Sequence, residues 1–112
     1  NFASLTTQIM LIYNTTFQAD SKDAENFVIW IHQVYIPKAQ ESGLLRSARL
    51  SRILSHHDEN SECFSLQFEV ESSAQLHDWY KKDGQSLHSE MLKTFDNKVV
   101  GFTTLMEVIE ES

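Results

Sequence analysis

Residues 63–71 read CFSLQFEVE, and this stretch decides the fold. Large apolar side chains alternate with smaller or polar ones along it. Such alternation is typical of a β-strand that has one face in a core and the other face towards water or a partner. The core face consists of Phe64, Leu66, Phe68 and Val70, and the opposite face carries Ser65, Gln67 and Glu69.

A second strand and a polar connection precede this stretch. Residues 44–55, LLRSARLSRILS, alternate and predict a strand, although Leu and Arg also favour a helix. Residues 56–62, HHDENSE, have the length and polarity of a hairpin connection. The alternation places Arg46, Ala48, Leu50, Arg52 and Leu54 on one face, and Leu45, Ser47, Arg49, Ser51 and Ile53 on the other.

A helix and a last strand follow the central stretch. Ser72 and Gln75 form the S-x-x-Q pattern of a capping box. Gly84 is expected to interrupt the helix, and residues 99–109 predict the final strand. The helical stripe consists of Leu76, Tyr80, Leu87, Met91 and Phe95.

The first third of the chain predicts one strand and one helix. Residues 9–18, IMLIYNTTFQ, are rich in β-branched and aromatic side chains. Asp20 or Ser21 can cap a helix, and Pro37 is expected to end or kink it. The buried stripe of this helix is Ala24, Phe27, Val28, Ile31 and Tyr35.

The order β-α-β-β-α-β is that of the ferredoxin-like α+β fold. We predict a single domain over residues 10–110, with a four-stranded antiparallel sheet and both helices on one face. Residues 1–9 are interpreted as an extension or a cloning remnant. The uncovered face would expose Met10 and Ile12, with either Leu45 and Ile53 or Leu50 and Leu54. Because a monomer seldom exposes so much apolar sheet, a homodimer joined through this face is expected.

Composition excludes several classes of function. The formal net charge is -7, and Arg46, Arg49 and Arg52 divide between two strand faces, which disfavours nucleic acid. No apolar run is long enough to span a membrane. The single cysteine, Cys63, permits no internal disulfide, so a cytoplasmic location is expected. Neither zinc-type spacing nor a nucleotide-binding motif is present, and therefore no metal or cofactor is predicted.

Several motifs together resemble a small bacterial domain family of unknown function. They are LIYNTTFQ at 11–18, W-x4-Y-I-P-K at 30–38, RLSRIL at 49–54, FSLQFEV at 64–70 and FTTLMEV at 102–108. That family is similar in layout to the dimeric α/β-barrel superfamily, which includes cofactor-free monooxygenases and EthD-like proteins. The resemblance implies a dimeric α/β barrel.

Similar proteins often carry a His-x-Pro triplet at the end of the first helix. Here the triplet is Tyr35-Ile36-Pro37, preceded by Trp30. If the histidine of those proteins carries protons, its replacement puts acid–base chemistry in doubt, since a phenol with an ordinary pKa of about 10 is a poor base near neutrality.

The residues selected as a candidate ligand pocket are Asn14, Trp30, His32, Tyr35, Arg49 and Gln67. Each also has an ordinary interpretation: Asn14 and Gln67 can satisfy each other, Arg49 can pair with Glu69, and Trp30 can close the core edge. His77 and His88 are interpreted as surface residues. Two hypotheses remain open, a homodimeric small-molecule-binding or regulatory domain, and a cofactor-free oxygenase or isomerase that acts on a small planar compound.

Overall fold

The computed structural model describes residues 10–112, and it confirms the predicted α+β, ferredoxin-like architecture. The assignment of residues 1–9 lies outside the described part of the chain. Four antiparallel strands form one sheet in the order β2-β3-β1-β4. Their bounds are Leu11–Asp20 for β1, Arg46–Arg52 for β2, Ser61–Val70 for β3 and Val99–Glu107 for β4.

Two long helices cover one face of the sheet, and each contains a wider π-helical turn. Helix α1 (residues 24–39) consists of Ala24–Trp30, the π-turn Ile31–Tyr35 and Ile36–Ala39. Helix α2 (residues 73–95) consists of Ser73–Trp79, the π-turn Tyr80–Gly84 and Gln85–Phe95. The Ser72 hydroxyl accepts a hydrogen bond from the Gln75 backbone amide at 3.1 Å, which confirms the N-cap half of the predicted capping box. The Gln75 side chain donates to Glu71 at 3.4 Å instead of reaching back to Ser72.

Pro37 does not end helix α1, which continues to Ala39. The π-turn shifts the hydrogen-bonding register just before the proline. Pro37 therefore lies in the first turn of a new α-helical segment. An amide in a first turn has no partner within the helix, so a proline is tolerated there.

The central strand has the alternation that its sequence predicts. Phe64, Leu66, Phe68 and Val70 of β3 are at most 2% exposed and lie beneath the helices. The pairing of β1 with β3 places Tyr13 opposite Phe68 and Phe17 opposite Phe64, so these side chains share the helix-covered face. Burial of large apolar side chains at these positions is the main stabilising contribution to the domain.

Strand β2 departs from strict alternation. The pairing register shifts between Arg46 and Arg49, and Ser47 has a positive φ of 56°. This bulge brings Arg46 opposite Glu69 and Arg49 opposite Gln67, on the face away from the helices. Leu45 is 1% exposed in the core, and Leu50 pairs with the buried Leu66. The expectation that these leucines line the uncovered face is therefore wrong for both.

The face opposite the helices, called here the open face, owes its apolar character to β1 and β4 instead. Ile12 pairs with Met106, and Val100 and Phe102 follow on the same side of β4. Val100 is 57% exposed, Phe102 65% and Met106 39%. Across residues 10–112, no helix is long and apolar enough to cross a membrane.

Candidate functional site

A cavity of about 500 Å³ lies between helix α2 and the half of the sheet formed by β1 and β4. Tyr35 borders it from helix α1. The sheet side is formed by Tyr13, Thr15 and Phe17 of β1 and by Gly101 and Thr103 of β4, and Phe102, whose side chain lies on the open face, borders it between those two residues. The helix side is formed by Ser73, Leu76, His77, Trp79, Tyr80, Gly84, His88 and Met91 of α2.

Two glycines keep space open along this cavity. A Cβ atom added to Gly84 would lie 2.6 Å from the Tyr80 ring and 2.7 Å from the Trp79 ring. A Cβ atom at Gly101 would lie 3.0 Å from the Phe17 ring. Glycine in a strand or helix interior is destabilising unless a close approach requires it. Both positions meet that condition.

The π-turns position two of the cavity tyrosines. Tyr35 is the last residue of the π-turn in α1, and Tyr80 is the first residue of the π-turn in α2. A π-turn inserts an extra residue into a helix and so rotates the side chains that follow it. Such turns are frequent at functional sites.

Burial raises the pKa of Tyr35 and the pKa of Tyr13. Repulsion between nearby phenolates raises the Tyr35 pKa further, because Tyr13 and Tyr80 lie close to it. A hydrogen bond with Thr15 acts in the opposite direction on the Tyr13 pKa without reversing the shift. The hydroxyls of Tyr13 and Tyr35 therefore stay protonated near neutral pH and can donate hydrogen bonds to a ligand.

The structure does not bring the six sequence-selected residues into one site. Tyr35 alone among them lines the cavity. Trp30 packs at the edge of the core, with its ring centroid 5.7 Å from Phe95 and 5.8 Å from Tyr35. His32 is exposed on helix α1. Asn14, Arg49 and Gln67 share the open face, on the opposite side of the sheet.

Neighbours on the open face already hold several of the polar groups there. The Ser65 hydroxyl donates to Asn14 Oδ1, and Asn14 Nδ2 donates to Thr16 Oγ1 at 3.1 Å. Glu69 accepts a hydrogen bond from the Ser47 hydroxyl at 3.2 Å. Arg46, rather than Arg49, lies opposite Glu69, and Arg49 lies opposite Gln67.

His77 and His88 are exposed, as expected, but they also line the cavity mouth. Sequence reasoning assigned them to the surface alone because helical spacing separates buried from exposed side chains and does not show which exposed ones border a cavity. A signal existed in Gly84 and Gly101, since a glycine inside an otherwise regular helix or strand often marks a close approach. Thr15, a small residue between Tyr13 and Phe17 on the same face of β1, was a second signal.

The other reactive side chains are held by structural contacts. In the part of the chain that the structure describes, no three His, Cys, Asp or Glu side chains cluster as metal ligands. Ser61 joins His56 and Asp58 in the loop before β3, at 2.9 Å from each. Burial raises the pKa of the Cys63 thiol, which lowers its reactivity.

Comparison with known proteins places the chain in a family. The model of a domain of unknown function, DUF4286, matches residues 10–109. The chain belongs to this family. No curated protein matches it.

Solved structures support the fold of this DUF4286 member. Two of them are dimeric ferredoxin-like proteins from an uncultured marine organism, and another is an EthD-family protein from Bacillus halodurans. The first has a TM-score of 0.69 at 15% identity, and the match covers 93% of this chain and 99% of that protein. The second has a TM-score of 0.66 at 12% identity, and the match covers 91% of this chain and 97% of that protein. The EthD-family protein matches with a TM-score of 0.62 at 14% identity, over 90% of this chain and 99% of its own. At these identities the likeness concerns the fold.

Proposed function

We propose that this chain is a homodimeric small-molecule-binding domain that holds its ligand in the cavity between α2 and the sheet. The observation that carries the proposal is the cavity itself, about 500 Å³ in volume and lined mainly by aromatic and apolar side chains. Ligand sites are typically 300–1,000 Å³ in volume, with a few polar groups that orient the ligand. The tyrosine hydroxyls and Thr15 are such groups here.

Binding is favoured over catalysis because the side chains in the cavity form no catalytic pair: His77 and His88 both border it, but they are about 16 Å apart along α2. His32 and Arg49, the groups selected for proton transfer and carboxylate binding, lie away from it. Tyr35 reaches it, but its raised pKa makes it a hydrogen-bond donor rather than a base. These properties fit a regulatory role, in which the occupancy of the cavity follows the concentration of the compound.

The second element of the proposal is pairing through the open face. Val100, Phe102 and Met106 expose apolar surface on an edge strand, where a second copy would cover it. Two similar solved proteins are described as dimeric. We place the protein in the cytoplasm, consistent with its single, buried, free cysteine.

Ligand binding can be tested with the neutral probe 2-naphthamide and amide NMR spectra. We expect shifts concentrated at Thr15, Gly84 and Gly101, with millimolar affinity or better for a probe of this size. Thr103→Trp, which places an indole at the cavity mouth, should weaken binding at least about fivefold. Ser86→Trp, at an exposed helix position outside the cavity, should not. Shifts scattered over the surface, or equal binding by both variants, would contradict the proposal.

Pairing can be tested by native mass spectrometry of gently purified protein. We expect a dimer, and we expect Val100→Lys/Met106→Lys to yield a monomer. Ile29→Lys/Leu92→Lys is the matched control, because it changes two residues on the helices with exposures of 44% and 47%. A wild-type monomer at micromolar concentration, or equal loss of dimer in both variants, would refute pairing through the open face.

A further inference from the structure

The cavity differs in charge from the rest of the molecule. The chain has 16 acidic and 9 basic residues and a formal net charge of -7. Among the described residues that line the cavity, none is Asp, Glu, Lys or Arg. The titratable side chains that line the cavity are those of three tyrosines and two histidines. A ligand cation would therefore find no carboxylate partner inside, although carboxylates are abundant elsewhere on the protein.

One end of the cavity carries a group of hydrogen-bond donors. Tyr13 lies near the start of β1, with its ring centroid 5.7 Å from that of Trp79. Ser73, His77 and Tyr80 occupy one side of α2 at spacings of four and three residues, so they lie near one another on the helix surface. Their hydroxyls and imidazole can all donate hydrogen bonds.

The opposite end of the cavity carries large apolar side chains. Phe17 is four residues beyond Tyr13 on β1, about 13 Å away at the rise of a strand. It contacts Phe27, whose ring lies 5.5 Å from Phe95 at the end of α2. His88 and Met91 line this end from α2. The two histidines are 11 residues apart, about 16 Å along the helix, so they cannot bind one small group together.

We propose that the ligand is a flat, largely apolar organic acid, with its carboxylate at the His77 end and its ring system towards Phe17 and Met91. Hydrogen bonds to a charged acceptor are about twice as strong as those between neutral groups. The His77 end is also partly open to water, so a carboxylate there loses less hydration than it would deeper inside. This inference rests on the proposed function, because it concerns the ligand of the same cavity.

Three probes of matched shape test the charge preference, namely 2-naphthoate, 2-naphthamide and 2-naphthylmethylammonium. We expect 2-naphthoate to bind about tenfold more tightly than the amide and the ammonium compound to bind most weakly, by calorimetry with site mapping by NMR. Equal affinity for the acid and the amide would overturn this inference and leave the proposed function standing. No binding of any of the three would refute the proposed function itself.

Histidine variants test the position of the carboxylate. His77→Gln should reduce the preference for the acid over the amide to within about twofold, because it weakens binding of the acid more than binding of the amide. His88→Gln, at the apolar end of the same cavity, should retain the preference, as should His57→Gln, which lies in the loop before β3 and outside the cavity. If His88→Gln abolishes the preference and His77→Gln does not, the proposed orientation is wrong.

Discussion

The space between the sheet and the helices is packed differently on its two sides. The α1 side is called here the filled half, and the α2 side is called the hollow half. On the α1 side, Phe27 contacts Phe17, Phe64 and Phe95, with ring centroids 5.0 to 6.1 Å apart. On the α2 side, small residues such as Thr15, Gly84 and Gly101 border an unfilled cavity. One half therefore stabilises the fold, and the other half leaves room for a ligand.

Both halves use similar backbone devices. Each helix contains a five-residue π-turn, and the Trp79 indole joins the two helices by donating to the Ala39 carbonyl at 2.9 Å. Asp83, which is buried, lies 3.6 Å from Lys38 across the same junction. These two contacts fix the helices to each other beside the cavity, which Trp79 also lines, so the cavity can remain open without loss of the fold.

The largest loss of stability is expected when a side chain in the filled half is truncated. Phe27 is fully buried, so Phe27→Ala should lower the free energy of unfolding by about 3–5 kcal/mol. Tyr80→Ala is the comparison in the hollow half. Tyr80 is 41% exposed, and its truncation should cost less than about 1 kcal/mol. Urea unfolding measures both, and equal losses would contradict the distinction between the halves.

Filling the hollow half should have an intermediate effect. In Gly84→Ala, the added methyl group would lie within 3 Å of two aromatic rings. The strain of overpacking, about 1–3 kcal/mol, should exceed the gain in helix propensity of about 1 kcal/mol. We expect a net loss of about 1 kcal/mol and weaker binding of 2-naphthamide. Ser86→Ala, an exposed position on the same helix, is the control, and a stabilised Gly84→Ala would show that the rings move aside readily.

The filled half could be predicted from the sequence, and the hollow half could not. Alternation and helical spacing identify Phe64, Phe27 and Phe95 directly, because burial of large apolar residues imposes those periods. The cavity exists where side chains do not fill the space between helix and sheet. Sequence periodicity predicts which side chains are buried, but it does not predict where such a space remains. The π-turns also changed the helix register, so Trp79 is buried where the spacing had selected Tyr80.

The open face shows a further limit of sequence reasoning. The β-α-β-β-α-β order predicts that an open face exists. Which residues of β2 lie on that face depends on one bulge. Ser47 shifts the register of β2, so that Arg49 rather than a leucine faces outwards. A bulge of one residue reverses the facing of every side chain on one side of it.

The smallest effect concerns the protonation of the cavity tyrosines. Because the Tyr35 pKa is raised in the folded state, the unfolded chain loses this proton first as the pH rises. The resulting stability is fully present below the unfolded pKa of about 10 and declines above it, by about 1.4 kcal/mol per pH unit at most. Urea unfolding from pH 8 to pH 11 should show this decline in the wild type and a shallower one in Tyr35→Phe.

Comparison of slopes between variants isolates the tyrosine contribution, since every other titratable group is the same in all of them. Tyr13→Phe/Tyr35→Phe should flatten the decline further, because the pKa of Tyr13 is also raised by burial. If Tyr35→Phe leaves the slope above pH 10 unchanged, the Tyr35 hydroxyl is better hydrated than its position suggests. The cavity would then be wetter, and its tyrosines would be weaker hydrogen-bond donors to a ligand than we infer.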